Sequence, residues 1–201
     1  MIKPRHKTIR PKNRRDMLEL FPKGGVVAEL GVFRGVYSER IVERCQPKLL
    51  YLVDLWGSRV DWWIDGEIRS VSGGEAYHLC RSKFELNQSV KLRRESTIDF
   101  LASMPDKSLD LVYLDADHSY RSVRDELALS WPRMKPGGWI SGHDYCSLFP
   151  GVVQAVSEFI DLHNLKLDVL TKEIPGIVIN CPGGPEKMAY NSFAIKVPVP
   201  E

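Results

Sequence analysis

Five short apolar runs recur along the chain, and the stretches between them keep the spacing of helices. The runs are GVVAELGV (25–32), KLLYLVDLW (48–56), SVKLRRES (89–96), LDLVYLDA (109–116) and GGWISGHDY (137–145). Short runs rich in Val, Leu, Ile and Tyr that do not alternate apolar with polar residues suit strands covered on both sides. Between them, Tyr37, Ile41 and Cys45 share one helical face, as do Tyr120, Val123, Leu127 and Trp131, and then Val152, Val156, Phe159 and Ile160. Strand and helix in alternation require crossovers. The predicted class is therefore α/β, a doubly wound and mostly parallel sheet with helices on both faces. Two late strands, 166–171 and 191–197, flank the Pro- and Gly-rich IPGIVINCPGGPEK with no clear helix between them, which predicts an antiparallel hairpin at one sheet edge.

At 201 residues the chain suits one domain. Seven cations (Lys3, Arg5, Lys7, Arg10, Lys12, Arg14 and Arg15) precede the first acid, Asp16, so the remainder carries a formal −5 against +2 for the whole. Residues 1–15 accordingly read as a basic arm and 16–201 as the domain. A mildly acidic body argues against a nucleic-acid-binding face on the domain. The arm reads as a solvated terminus, with phosphate contact as the alternative. No apolar run approaches the ~20 residues that cross a bilayer, and no apolar stretch follows the basic start as in a signal peptide. The expectation is a cytoplasmic protein without a membrane partner. Cys45, Cys80, Cys146 and Cys181 are widely spaced and read as reduced thiols.

Two strand ends carry the chemistry. In AELGVFRGVYSER a strand meets a glycine turn and then a helix, with Glu29, Gly31 and Gly35 in place of GxGxxG. An acid there repels a pyrophosphate and suits a cationic ligand. Asp54, ending the second run, is placed to take the two hydroxyls of a ribose. Further on, VYLDADHSY ends an apolar run on Asp115, Asp117 and His118. Asp117 also reads as the N-cap of the helix that follows. The segment 57–74 carries Trp62 and Trp63 and is long for a connection, so it reads as a lid over the site or as a loop pinned by its aromatics.

Acid-x-Gly-x-x-x-Gly, an acid after the second strand, LDADHSY and MKPGGWISGHDY, in that order, resemble the class I S-adenosylmethionine (SAM)-dependent methyltransferases. The similarity is to the small O-methyltransferases of the macrocin O-methyltransferase type, and more distantly to catechol and caffeoyl-CoA O-methyltransferases. It spans about residues 25–197 and implies a Rossmann-like fold with a seven-stranded sheet. It also implies that Gly31 and Gly35 border the methionine part of SAM, Ser38 binds its carboxylate and Glu29 faces its amine. Asp54 would take the ribose hydroxyls, Ser96 the adenine edge, and Asp115 would complete the cofactor set. Asp115 and Asp144 would hold a divalent metal, Mg²⁺ or Mn²⁺. His143 stands where macrocin-type relatives have an acid and becomes a third ligand candidate, while Tyr145 replaces the asparagine of catechol-type relatives. His118 would be the general base, with Asp115 beside it in the catalytic set. The implied activity is methyl transfer to a hydroxyl of a small molecule, whether sugar, natural product or phenol. Two alternatives stand: another reaction on the same fold, as in hydroxylase-named relatives, or a binding module that uses the basic arm. Apolar residues in the terminal hairpin suit a homodimer contact.

Overall fold

The computed structural model describes residues 7–57, 60–64, 67–173, 177–181 and 184–200; of 60–64, 67–69, 177–181 and 184–188 it describes the backbone alone. The strands are β1 (Val26–Leu30), β2 (Leu49–Asp54), β3 (Val60–Ile64), β4 (Glu67–Val71), β5 (Val90–Arg94), β6 (Leu109–Leu114), β7 (Met134–Gly142), β8 (Val169–Leu170), β9 (Ile177–Cys181), β10 (Gly184–Met188) and β11 (Phe193–Lys196). The helices are α1 (Arg14–Met17), α2 (Val36–Cys45), α3 (Gly73–Phe84), α4 (Thr97–Ser103), α5 (Tyr120–Arg133) and α6 (Pro150–Leu162).

Seven strands form one sheet in the order β5-β2-β1-β6-β7-β11-β8. The first five are parallel to their neighbours, and β11 runs antiparallel to both β7 and β8. The doubly wound sheet with its antiparallel C-terminal strands is as expected. Period-two alternation explains how non-alternating runs serve both faces. Val27, Leu111 and Tyr113 pack under α2 and α3 with Ile41, Leu50 and Leu52. Their neighbours Ala28, Leu30, Val112 and Leu114 pack under α4, α5 and α6 with Phe100, Leu127 and Val156.

Three local readings differ from the fold. The connection 57–74 holds an antiparallel hairpin, β3–β4, with Trp62 opposite Arg69 and Trp63 opposite Ile68; the tryptophan side chains lie outside the described residues. A second hairpin, β9–β10, occupies the Pro- and Gly-rich segment, so the late strands pair across an inserted unit. The basic start also lies against the body in its described part. Ile9 forms a parallel bridge to Val169 at the sheet edge, with Ile9 N donating to Asp168 O (2.8 Å) and Leu170 N to Ile9 O (3.0 Å). A solvated arm was expected there because its charge hides the pairing capacity of Ile9 and Pro11. No helix among the described residues is long and apolar enough to cross a membrane.

Candidate functional site

The parallel strands deliver their acids to one edge. Glu29 lies on β1, Asp54 ends β2, and Asp115 follows β6. Asp144 comes two residues after the end of β7. Open α/β sheets bind ligands outside the carboxyl ends of their strands. Some backbone strain lies at the same edge, where Phe33 (φ 53°), Trp56 (φ 42°) and Asp144 (φ 58°) follow β1, β2 and β7 in left-handed conformations.

The glycine loop is organised from within. Asp54 Oδ2 accepts from Val32 N and Phe33 N, both at 2.9 Å, and its Oδ1 accepts from Trp56 N at 2.7 Å. Gly31 N donates to Val53 O and Gly35 N to Val32 O. These four loop N–H groups are thus used inside the protein, so the loop is not a phosphate cradle. Gly31 (φ 87°) passes against the Asp115 backbone, where any Cβ would collide. Gly35 (φ 72°) is the left-handed N-cap of α2.

Glu29 is buried, and Ser38 Oγ donates to its Oε2 at 2.5 Å. Burial pushes the Glu29 carboxyl up to about 8 despite that hydrogen bond. Ser96 serves α4 as N-cap, accepting from Asp99 N (3.0 Å) and donating to Asp99 Oδ2 (2.7 Å). Asp54, Ser38 and Ser96 therefore each have protein partners at the positions where ligand contacts are expected.

On the other side of the edge, His118 Nε2 lies 2.7 Å from Asp144 Oδ2, close enough for an ion pair although the ring N–H is not lined up for a hydrogen bond. His143 Nδ1 is 3.1 Å from the same oxygen and 3.7 Å from Asp115 Oδ1. Burial alone would raise Asp144; the two imidazoles more than reverse it and hold the carboxyl well below the usual range. Its proximity to Asp144 raises His118, against the effect of burial. Asp115 is raised, chiefly by burial. The His118 ring packs on Phe149 at 4.5 Å, and His143 stacks on Tyr190 at 6.3 Å.

Asp115, His118 and Asp144 each offer one ligand atom, all within 4.8 Å of one another. The expected trio was Asp115, His143 and Asp144; the structure groups His118 with the two acids and sets His143 beside them. Two carboxylates and an imidazole suit Mn²⁺ or Zn²⁺ better than Mg²⁺. Asp117 is not the N-cap. That residue is Ser119, which accepts from Ser122 N, while Asp117 takes Ser119 N at 2.9 Å and Ser122 Oγ at 2.8 Å. With the cap two residues later than expected, His118 stays outside the helix and lies beside Asp144.

Two contributors were not foreseen. Arg14 reaches the edge from the N-terminal segment, with Nη1 at 3.3 Å from Asp115 Oδ2 and the guanidinium over the Tyr37 ring. Glu126 on α5 is 2% exposed and accepts from Thr97 Oγ1 at 2.6 Å, while its Oε2 has no partner. It lines a small cavity together with Ala116, Asp117 and His118. A single cation in a basic run and a single acid in a helix give no signal in the sequence.

A family model described as a methyltransferase domain matches residues 28–145. Mycinamicin III 3''-O-methyltransferase of Micromonospora griseorubida is 30% identical over 79 residues, which are 39% of this chain and 30% of that protein. The chain thus matches less than a third of that relative's length. Among solved structures, the O-methyltransferase NovP has a TM-score of 0.59 at 19% identity, over 92% of this chain and 79% of that one. A Streptococcus mutans protein described as a methyltransferase and solved in complex with SAH has a TM-score of 0.59 at 12% identity, over 91% and 95%. The N-methyltransferase NodS of Bradyrhizobium japonicum gives 0.57 at 13%, over 92% and 94%. At such identities these structures share the fold, and the fold alone does not select the acceptor atom.

Proposed function

Because the chain belongs to the methyltransferase-domain family, whose chemistry here is SAM-dependent, we propose that it transfers the SAM methyl group to a hydroxyl of a small molecule. The carrying observation is the His118–Asp144 pair at 2.7 Å beside Asp115. An imidazole braced by a carboxylate at the ligand edge of the sheet is the arrangement of a general base. The acids at the strand ends also suit a cationic cofactor, with Glu29, protonated near neutral pH by its burial, ionising on meeting the ammonium, and the loop N–H groups that a pyrophosphate would need are already used.

SAM supplies an electrophilic methyl on a sulfonium. The chain's own residues would do the rest. His118 takes the acceptor's hydroxyl proton, Asp144 stabilises the imidazolium formed, and the acceptor oxygen bonds to the methyl carbon as the carbon–sulfur bond breaks. Glu29 and Asp115 would hold the cofactor's ammonium, with Gly31 and Gly35 bordering its methionine end and Asp54 and Ser96 its nucleoside. A divalent ion would be held by Asp115 and Asp144 with His143 beside them, and would polarise the acceptor hydroxyl. His118 Nε2 faces Asp144 Oδ2, so the acceptor's proton would be taken at Nδ1. The rings of Phe149 and Tyr190 beside the two histidines suit a ring-shaped acceptor.

Calorimetric titration with SAM, after EDTA and again with Mn²⁺ or Mg²⁺, tests the cofactor and the ion, with NAD as control. Micromolar SAM binding without NAD binding is expected; no SAM binding in any condition overturns the reading. His118→Ala is expected to keep SAM affinity and to lose transfer to phenol and sugar acceptors by about 10² or more. Retained transfer would remove His118 from the role of base.

A further inference from the structure

With Ser38 fully buried and its hydroxyl given to Glu29, a carboxylate at the methionine end of the crevice needs another donor. Arg14 meets the requirement. Its Nη1 sits 3.3 Å from Asp115 Oδ2, and its guanidinium carbon lies 4.5 Å from the centroid of the Tyr37 ring. The backbone there is fixed from three directions. Arg14 N donates to Glu173 Oε1 at 2.6 Å, Tyr37 OH donates to Arg14 O at 3.1 Å, and Asn13 caps α1 by accepting from Arg15 N and Asp16 N. A positioned cation is therefore built into the site, although it arrives on a segment whose charge suggests a free tail.

We propose that Arg14 is the receptor for the α-carboxylate at the methionine end of the cofactor, a binding role for the N-terminal segment that rests on the SAM reading above. A guanidinium carries five N–H donors in a fork that matches a carboxylate. One edge is turned to Asp115, and the side chain is still 35% exposed, so donors remain for a second anion. An amino-acid end is a zwitterion, and this corner presents its complement: Asp115 for the ammonium, Arg14 for the carboxylate. The guanidinium lies over the Tyr37 ring, which limits the ordering that binding costs.

The test compares SAM with decarboxylated SAM, which keeps the sulfonium and the ammonium and lacks only the carboxylate. Calorimetry on the full wild-type chain is expected to show SAM binding tighter by about 10- to 100-fold, the worth of a charge-assisted carboxylate contact. Arg14→Gln should erase that preference by weakening SAM and leaving decarboxylated SAM unchanged, and Arg14→Lys should restore part of it. Equal affinity of the wild type for both ligands overturns the proposal without reference to any variant. An equal loss for both ligands in Arg14→Gln also overturns it, since that marks a structural role. Failure of the wild type to bind either ligand instead overturns the SAM reading on which the proposal stands.

Discussion

Among single residues, Glu126 gives the sharpest physical signal away from the acid pair. Burial pushes its carboxyl up to about 7, and one of its oxygens has no partner. Between about pH 4.5 and 7 the folded protein therefore keeps a proton that the unfolded chain has released. The native state binds more protons across that window, so stability falls as pH rises through it and levels off above. Glu126→Gln keeps an acceptor for Thr97 and removes the titration. Urea unfolding at pH 4.5 and pH 8 should show the variant more stable than wild type at the higher pH, by at most ~3 kcal/mol, and nearly equal at the lower. A pH-independent difference would mean that packing, and not ionisation, sets the cost of this carboxyl. Nothing in RSVRDELALSW marks Glu126 as the buried acid, because Asp125 beside it is of the same type and only half-buried; burial is decided by which helix face meets α4.

At the scale of elements, the loop between β1 and α2 shows why the glycines are where they are. At Gly31 a Cβ would strike the Asp115 backbone, which cannot move without shifting β6 against β1, and the left-handed φ adds strain. At Gly35 the obstacles are side chains, the Phe84 ring at 2.9 Å and Cys80 Sγ at 3.0 Å. Gly31→Ala should therefore cost about 3 kcal/mol or more, and Gly35→Ala less, each read from chemical denaturation. Equal costs would show that the two positions are limited by φ alone. The strands that form the sheet were legible because burial on both faces leaves continuous apolar runs, and 25–32 and 109–116 contain β1 and β6. The two hairpins were not, because a small antiparallel pair outside the core has no such run. The strand end at 112–118 marked Asp115 and His118 and the family resemblance added Asp144 and His143, whereas the convergence of both imidazoles on Asp144 Oδ2, beside its left-handed turn, is announced by no residue pattern.

For the molecule as a whole, the question is what the basic start is for. Thr8 Oγ1 donates to Leu167 O and Lys172 N to Pro11 O, which with the Ile9 bridge and the Arg14–Glu173 contact makes residues 8–14 an added edge to the sheet. Five such hydrogen bonds contribute roughly 1 kcal/mol each before the cost of ordering the segment. Removing residues 1–15 should lower Tm by about 5–10 °C, as for a loss of roughly 2–3 kcal/mol in a chain of this size. The same truncation should weaken SAM at least as much as Arg14→Gln does. A free arm that binds phosphates predicts the opposite pattern: unchanged Tm, unchanged SAM affinity, and loss of a nucleic-acid association whose affinity falls steeply with salt. Melting and calorimetry on the truncated chain thus separate an element of the catalytic domain from a tethered cationic tail, and the edge pairing of Ile9 favours the first.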